Sequence, residues 1–253
     1  HKMDRKGSDS FRNKQRKSIF AAEKKERTIR KEMKNLIIFD LDGTLLNTID
    51  DLGCAVNHAL ALRDLPQHGM EEYRTMVGNG VRKLIERALP QDAQDLVEDC
   101  LKDFLAYYTE NIDVHTKPYP GMDALIGKLD GEGCLLAVAS NKFQEGTAKL
   151  VERFFPGIDF VAVFGNRPGY PLKPDPELIR EIEDLAGRRC GEALNTIMVG
   201  DSDTDMKTAA NAGIASVAVC WGFRSRAELE QAGAVRFAGT AEELYSKIQE
   251  VKA

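Results

Sequence analysis

Apolar runs rich in valine and isoleucine recur from residue 33 onward, and most of them lack interspersed polar residues. This pattern is typical of strands that are buried on both faces of a parallel sheet. It predicts five strands, at residues 36–39, 134–139, 160–164, 196–199 and 215–220, and a weaker sixth strand at 234–237.

Between the predicted strands, apolar residues recur at helical spacing, and turn residues mark where the helices begin and end. One helix at 122–129 ends before two glycines. Asp175 is expected to cap a helix whose first residue is Pro176, and Asp203 is expected to cap another that stops at Gly213. Strands that alternate with helices form right-handed βαβ units. The pattern therefore predicts an α/β protein with a doubly wound, Rossmann-like parallel sheet.

Residues 48–116 interrupt this alternation, because they contain helical spacing and no convincing strand. Thr48 and Asp51 have the spacing of a capping box, and a long helix is predicted over about 92–112. The turn at 118–121 returns the chain to the core. The predicted organisation has three parts: a basic N-terminal extension at 1–32, an α/β catalytic core at 33–47 and 117–253, and a helical insertion at 48–116.

Charge is distributed unevenly over the 253 residues, whose formal net charge is −5. The first 32 residues carry a net charge of +7, and the remaining 221 carry −12. The acidic balance argues against a dedicated nucleic-acid binder, although the basic extension keeps a nucleic-acid contact open as an alternative to a solvated tail. No apolar run reaches the roughly 18 residues of a membrane span. Five cysteines without a C-x-x-C pair indicate a reducing compartment. We therefore expect a cytoplasmic monomer or homodimer that binds neither nucleic acid nor membranes.

The first predicted strand ends in two carboxylates, Asp40 and Asp42, which are followed by Gly43 and Thr44. Ligands of open α/β sheets bind beyond the carboxyl ends of the strands, and side chains two residues apart leave a strand on the same side. A cation or a proton between two such carboxylates relieves their repulsion. Hard oxygen ligands at this spacing favour Mg²⁺. A solvated turn is the alternative, and the apolar strand directly before the pair argues against it.

Three further positions carry polar residues that could serve the same site. Ser140 and Asn141 follow the second predicted strand and could bind a phosphate oxygen, and Lys173 could neutralise phosphate charge. Acids at 201, 203 and 205 follow the strand at 196–199 and suit a cation site. Taken singly, these residues could be helix caps, a surface lysine and solvated acids. Their coincidence at the ends of parallel strands predicts one shared site.

Together these residues resemble the four signature motifs of the haloacid-dehalogenase superfamily, in that family's order and over essentially all of residues 33–253. The motifs are Asp40-x-Asp42-Gly-Thr, Ser140-Asn141, Lys173-Pro174-Asp175-Pro176 and Gly200-Asp201-Ser202-x-x-Asp205. The insertion is similar to the helical cap of that superfamily. Within the superfamily, segments 45–52, 77–81 and 118–121 most resemble phosphoglycolate phosphatases. The second aspartate argues against true haloacid dehalogenases, which lack it.

The resemblance implies a two-step phosphoryl transfer that depends on Mg²⁺. Asp40 would be the nucleophile that forms an aspartyl-phosphate, and Asp42 would protonate the leaving alcohol and then deprotonate water. Mg²⁺ would be held by Asp40, the backbone carbonyl of Asp42, and Asp201, while Ser140 and Lys173 hold the phosphoryl oxygens. The other motif residues would take supporting roles, with Asp205 and Ser202 behind the metal ligands and Thr44 and Asn141 at the substrate.

Gly78, Asn79 and Gly80 precede a predicted helix that contains Arg82, and this segment resembles a substrate-specificity loop. Backbone N–H groups at the helix start, assisted by the Arg82 guanidinium, would bind an anionic tail such as a carboxylate. An ordinary glycine turn with Arg82 in solvent is the alternative. The expected function is hydrolysis of a small phosphorylated metabolite, with 2-phosphoglycolate favoured. A pyrophosphatase, a nucleotidase and a sugar phosphomutase of the same superfamily are alternatives, and a non-catalytic binding module is a more distant one.

Overall fold

The computed structural model describes residues 33–252, so the predicted basic extension at 1–32 lies outside the described residues. Within them the chain forms eight strands: β1 (Lys34–Phe39), β2 (Leu46–Asn47), β3 (Lys117–Pro118), β4 (Leu135–Phe143), β5 (Phe160–Asn166), β6 (Leu194–Gly200), β7 (Ala215–Val219) and β8 (Phe237–Ala238). Six of these form one sheet in the order β5-β4-β1-β6-β7-β8, and every neighbouring pair is parallel.

Helices account for most of the remaining chain. Over residues 33–252 there are ten α-helices: α1 (Ile49–Ala61), α2 (Met70–Met76), α3 (Val81–Ala88), α4 (Val97–Asn111), α5 (Met122–Gly131), α6 (Gln144–Phe154), α7 (Glu177–Cys190), α8 (Asp203–Ala212), α9 (Arg226–Gln231) and α10 (Ala241–Lys252). A 3-10 helix, Gln91–Leu96, precedes α4. Among the described helices, none has the length and the apolar composition that crossing a membrane requires.

The side chains of the central strand β1 alternate between two apolar layers, as the pleat of a strand requires. Ile37 and Phe39 pack into the layer formed with α5, α6 and α10, while Leu36 and Ile38 pack into the layer formed with α7 and α8. All four side chains are fully buried. The absence of polar alternation in the sequence thus reflects a strand covered on both faces, and the predicted doubly wound α/β fold is confirmed.

The helical insertion leaves and rejoins the core through the ladder of β2 and β3, in which Leu46 pairs with Pro118 and Asn47 with Lys117. Residues 48–116, all of which are described, contain α1 to α4 and the 3-10 helix and no strand, as the pattern predicted. The helix predicted over about 92–112 is divided, because its first turn is the 3-10 helix and α4 begins at Val97.

The predicted capping box at Thr48 is wrong. The Thr48 side chain makes no capping hydrogen bond, and its buried hydroxyl has no partner among the described residues. The Asp51 carboxylate instead accepts hydrogen bonds from the backbone N–H groups of His115 and Thr116, at 2.9 and 2.8 Å, and from the Thr116 hydroxyl at 2.8 Å. Asp51 therefore ties the start of the insertion to its end, a contact that lies across 65 residues.

Two other predicted caps are displaced by one residue. Helix α7 begins at Glu177 with Pro176 in the capping position, although the Asp175 carboxylate still accepts a hydrogen bond from the Glu177 N–H at 2.9 Å. Asp203 is the first residue of α8, and Ser202 is its cap. A serine in an extended conformation can direct its hydroxyl at the N–H three residues on, so it replaces the next residue as the cap.

Predicted and observed strands differ at their ends. Strand β4 is assigned through Phe143 rather than ending at 139, because Phe143 pairs again with Asn166 after a register shift. Ser140 and Asn141 therefore lie where the ladder is irregular, not beyond its end. Strand β8 is confined to Phe237–Ala238 instead of 234–237, since only these two residues pair with β7.

Candidate active site

Most of the predicted site residues converge at the carboxyl ends of three adjacent strands, β4, β1 and β6. A cavity opens there between the sheet and the helical insertion, and its wall includes Asp40, Asp42, Ser140 and Lys173. This is the edge at which ligands of doubly wound sheets bind. Residues from separate segments of the chain thus lie around one cavity.

Three buried carboxylates lie together at this edge. One oxygen each of Asp40, Asp201 and Asp205 lies within 4.8 Å of the others. Burial, reinforced by the charge of Asp205, raises the pKa of Asp40 to about 8 and that of Asp201 to about 7. Hard carboxylate oxygens that repel one another in this way suit a divalent cation such as Mg²⁺, so the donor set fits the metal expected from the sequence. The sequence assigned Asp205 to a supporting role, and in the structure its carboxylate lies in the cluster and also contacts Lys173.

Lys173 lies beside two of these carboxylates. Its Nζ is 2.9 Å from Asp40 Oδ1 and 2.7 Å from Asp205 Oδ1, and it also donates to the Ala139 carbonyl at 2.8 Å. Burial by itself would lower the pKa of Lys173, but the Asp205 and Asp40 carboxylates outweigh it and raise the pKa. The side chain therefore stays charged, with its ammonium group directed at the proposed nucleophile.

Asp205 is held by the start of its own helix. Its Oδ2 accepts hydrogen bonds from the Ser202 N–H at 3.1 Å and from the Ser202 hydroxyl at 2.6 Å. Ser202 Oγ in turn accepts from the Asp205 N–H at 3.3 Å, which completes a capping box. A local helix-capping motif thus orients one carboxylate of the cluster.

Asp201 is held by groups from two other parts of the chain. Its Oδ1 accepts a hydrogen bond from the Thr44 hydroxyl at 3.1 Å, and its Oδ2 accepts from the Phe223 N–H at 2.7 Å. A Cβ at Gly43 would lie 2.4 Å from Asp201 Oδ2, and one at Gly222 would lie 2.3 Å from it, so both positions require glycine. Thr44 was predicted at the substrate, but the structure places its fully buried hydroxyl on Asp201 instead. Neither Gly222 nor Phe223 was predicted from the sequence.

Asn141 joins three segments through its amide. Its Oδ1 accepts from the Lys173 N–H at 2.8 Å, and its Nδ2 donates to the carbonyls of Lys173 and Gly78, both at 3.1 Å. The side chain therefore fixes the loop that carries Lys173 and contacts the helical insertion. Ser140 lies in the cavity wall, where its hydroxyl accepts from the Lys142 N–H at 3.3 Å.

Lys142 is a site residue that the sequence reasoning missed. Its buried Nζ lies 3.1 and 3.3 Å from the two carboxylate oxygens of Asp42 and donates to the Tyr108 hydroxyl of the insertion at 2.6 Å. Burial lowers the pKa of Lys142, and the nearby Asp42 carboxylate opposes this shift. Its position directly after Ser140 and Asn141 was the available signal, but a lysine is common on surfaces and only the fold shows that this one faces inward.

The predicted specificity loop reaches the cavity in part. Gly78 and Gly80 line the wall together with apolar side chains of the insertion, and Gly80 has a φ of +82° at the start of α3. Asn79 points elsewhere: its Nδ2 donates to the Thr204 hydroxyl at 3.3 Å and its Oδ1 accepts from Arg87 at 2.7 Å. The loop thus presents mainly backbone to the cavity.

The predicted role of Arg82 is not supported. Its guanidinium lies 2.5 Å from Glu98, the side chain is 52% exposed, and it is not part of the cavity wall. Arg82 is the second residue of α3 and faces α4 rather than the sheet, so it forms an ion pair with Glu98 on that helix. The alternative of a glycine turn with Arg82 in solvent describes the structure better.

Known proteins are similar to this chain over most of its length. The profile of the haloacid dehalogenase-like hydrolases matches residues 37–219. A phosphoglycolate phosphatase from Mesorhizobium japonicum is 40% identical over 195 residues, which cover 76% of this chain and 85% of that protein. A crystal structure from Lactobacillus delbrueckii subsp. bulgaricus has a TM-score of 0.78 at 32% identity and covers 85% of this chain and 99% of that chain.

The chain therefore belongs to the haloacid dehalogenase-like hydrolases, and within that family it is a phosphatase. A further structure, described as a predicted phosphoglycolate phosphatase from Haemophilus somnus, has a TM-score of 0.72 at 27% identity and covers 85% of this chain and 98% of that chain. The resemblance predicted from the four motifs is thus confirmed, as is its leaning toward the phosphoglycolate phosphatases.

Proposed function

We propose that this phosphatase is a Mg²⁺-dependent enzyme that hydrolyses a small phosphate monoester, with 2-phosphoglycolate as the favoured substrate. The convergence of Asp40, Asp201 and Asp205 with Lys173 at one sheet edge carries the proposal. The names of similar proteins support the choice of substrate. In this proposal residues 33–47 and 117–253 form the catalytic core, and the insertion at 48–116 acts as a cap over the cavity.

Asp40 attacks the phosphorus atom and forms an aspartyl-phosphate, which water then hydrolyses. Asp40 must be ionised to attack, and the ammonium of Lys173 at 2.9 Å stabilises the ionised form. Bound Mg²⁺, held by Asp40, Asp201 and the backbone carbonyl of Asp42, would supply further positive charge between nucleophile and phosphate. Asp205, which is bonded to Ser202 and Lys173, orients the lysine and completes the acidic wall.

Asp42 acts as the proton carrier in this mechanism. It protonates the alcohol oxygen as the ester bond breaks and takes a proton from water in the second step. The Asp42 carboxylate is held by Lys142 on one side and remains 19% exposed toward the cavity, so it can meet both the leaving group and water. Ser140 and Lys173 provide the donors for the phosphoryl oxygens.

Selection of the substrate falls to the part of the cavity that the insertion provides. Leu52, Val77, Val81 and Leu84 make this wall largely apolar, so it disfavours bulky polar tails. A carboxylate of the substrate would meet the backbone N–H groups around Gly80, where no side chain caps α3. Because Arg82 is turned away, the positive side chains of the cavity wall are Lys142 and Lys173 of the core. Lys173 is assigned to the phosphoryl group, which leaves the buried ammonium of Lys142 for a short anionic tail.

A phosphate-release screen tests the proposal. Purified protein with Mg²⁺ would be assayed against 2-phosphoglycolate, glycerol phosphate, pyrophosphate, a nucleoside monophosphate and a sugar phosphate, with Asp40→Asn as the background control. We expect the highest kcat/KM for 2-phosphoglycolate. Equal kcat/KM for 2-phosphoglycolate and glycerol phosphate would refute the substrate assignment alone. Release from none of them would refute the phosphatase mechanism.

A further inference from the structure

Two arginines hold the insertion against the core through reciprocal hydrogen bonds. Arg224, in the loop after β7, donates to the carbonyls of Arg74 and Val77 at 2.5 and 2.7 Å. Arg74, in the last turn of α2, donates in return to the carbonyl of Gly222 at 2.6 Å. The last carbonyls of a helix have no partner within it, so a guanidinium from another segment satisfies them. The Arg224 side chain is only 11% exposed, which keeps these bonds out of competition with water.

The same core loop contacts Asp201 of the carboxylate cluster. The Phe223 N–H donates to Asp201 Oδ2 at 2.7 Å, and Gly222 lies so close to this carboxylate that a Cβ there would be 2.3 Å from it. Residues 222–224 therefore contact the insertion through a carbonyl and a guanidinium, and contact the proposed metal ligand through the N–H between them. Because these three residues are consecutive, a displacement of the groups that face the insertion also displaces the N–H that faces Asp201.

We propose that Arg224 is a positioning residue that couples the position of the insertion to the orientation of Asp201. This inference rests on the proposed metal-dependent function. With Arg224 in place, residues 222–224 are fixed at both ends and the Phe223 N–H stays directed at Asp201. Without it, the loop loses its bonds to the carbonyls of Arg74 and Val77, and the Phe223 N–H is no longer held in the direction of Asp201 Oδ2. Coupling of this kind is reciprocal, so a metal bound at Asp201 also favours the position of the insertion in which Arg224 bonds to the carbonyls of Arg74 and Val77.

The chain offers a matched control in Arg87. This arginine donates to the Met76 carbonyl at 2.6 Å and to Asn79 Oδ1 at 2.7 Å, so it supports the same end of α2. Both of these bonds stay within the insertion and do not reach residues 222–224. Replacing Arg87 therefore removes two hydrogen bonds from the same segment, at a more exposed position, without touching the connection to Asp201.

The test measures metal affinity in the full chain, without turnover. Mn²⁺ takes the same oxygen ligands as Mg²⁺, and the signal of free Mn²⁺ in electron paramagnetic resonance reports how much is bound. Partners that orient metal ligands typically contribute about 10- to 100-fold to affinity, and we expect Arg224→Met to weaken binding about tenfold, at the lower end, because Arg224 acts through the backbone. Arg87→Met should change it by less than about twofold. Trp221, the sole tryptophan of the sequence, adjoins this loop and reports its movement by fluorescence.

Unchanged Mn²⁺ affinity in Arg224→Met overturns the inference, whatever happens to its melting temperature or to phosphate release. If Arg224→Met does not fold, Arg74→Met decides, since it removes the bond to the Gly222 carbonyl and otherwise only an exposed 3.8 Å pair with Glu71 inside α2. A loss of affinity of about threefold or more supports the coupling, and no loss refutes it. Failure of the proposed function can be distinguished from failure of this inference. In the first case the wild-type chain releases no phosphate from any ester, whereas the Mn²⁺ affinities of the variants can still be compared.

Discussion

Replacing Lys142 by methionine tests whether the buried ammonium holds Asp42 for proton transfer. The substitution keeps the length and apolar stem of the side chain and removes its charge. It deletes the contacts at 3.1 and 3.3 Å to Asp42 and the bond at 2.6 Å to the Tyr108 hydroxyl. Because Asp42 is 19% exposed, water can solvate it once the lysine is gone, so we expect the variant to fold.

The expected loss follows from these contacts. A hydrogen bond to a charged group contributes about 1.5–3 kcal/mol, and 1.36 kcal/mol corresponds to a factor of ten in rate. Losing the orientation of Asp42 should therefore reduce kcat about 10- to 100-fold, which is part of the roughly 10²- to 10⁴-fold that proton transfer contributes. Both steps require Asp42 with an alkyl ester, but an aryl phosphate with a good leaving group needs no protonation in the first step.

Stopped-flow kinetics with 4-nitrophenyl phosphate separates the two steps. Lys142→Met should show a rapid burst of nitrophenolate followed by a slow steady state, because the aspartyl-phosphate forms but water is not deprotonated efficiently. The matched control is Tyr108→Phe, which removes the neighbouring hydroxyl and leaves the pair of Lys142 with Asp42 in place. Its kcat should stay within about threefold of the wild-type value. The reasoning would be refuted if Lys142→Met kept the wild-type kcat. It would also be refuted if Tyr108→Phe lost as much kcat as Lys142→Met.

Three further predictions follow from the same site. Chelation should abolish phosphate release and added Mg²⁺ should restore it, whereas Ca²⁺ should restore it poorly because it prefers more ligands and looser geometry; full activity in excess chelator contradicts the metal assignment. In the metal-free protein, burial raises the pKa of Asp40 from 3.8 to about 8, so the folded state keeps a proton that the unfolded state releases, and stability should fall as pH rises from about 4 to about 8. In thermal unfolding, the melting temperature of the metal-free protein should fall over this pH range, and that of Asp40→Asn should depend less on pH. Mg²⁺ should raise the melting temperature more at pH 8 than at pH 5. A metal-free melting temperature that rises over this range excludes the explanation. Gly80→Val places a side chain at a φ of +82° in the cavity wall and should lower kcat/KM for 2-phosphoglycolate about tenfold, while Gly157→Val, at a φ of +83° outside this wall, should leave it unchanged within about twofold; equal effects of the two would point to a general loss of stability.

The predicted roles of the insertion show where reasoning from sequence failed. Arg82 was expected at the substrate because it follows a glycine loop, yet it pairs with Glu98 on α4. Thr48 and Asp51 had the spacing of a capping box, yet Asp51 binds the backbone at His115 and Thr116. In each case a partner distant in sequence competes with the local interaction, and local spacing carries no information about such partners.

The amino-acid sequence was enough to predict the class of fold and the edge of the sheet at which the candidate site lies. Continuous apolar runs predict strands covered on both faces, and the carboxyl ends of such strands lie together, so Asp40, Ser140 and Asp201 were expected to meet. The groups that orient these side chains could be identified only from the folded chain. Lys142 at Asp42, and the loop that joins Arg224 to Asp201, depend on side-chain directions and on contacts across 100 or more residues. Those contacts are set by how the insertion packs on the core, which no local periodicity encodes.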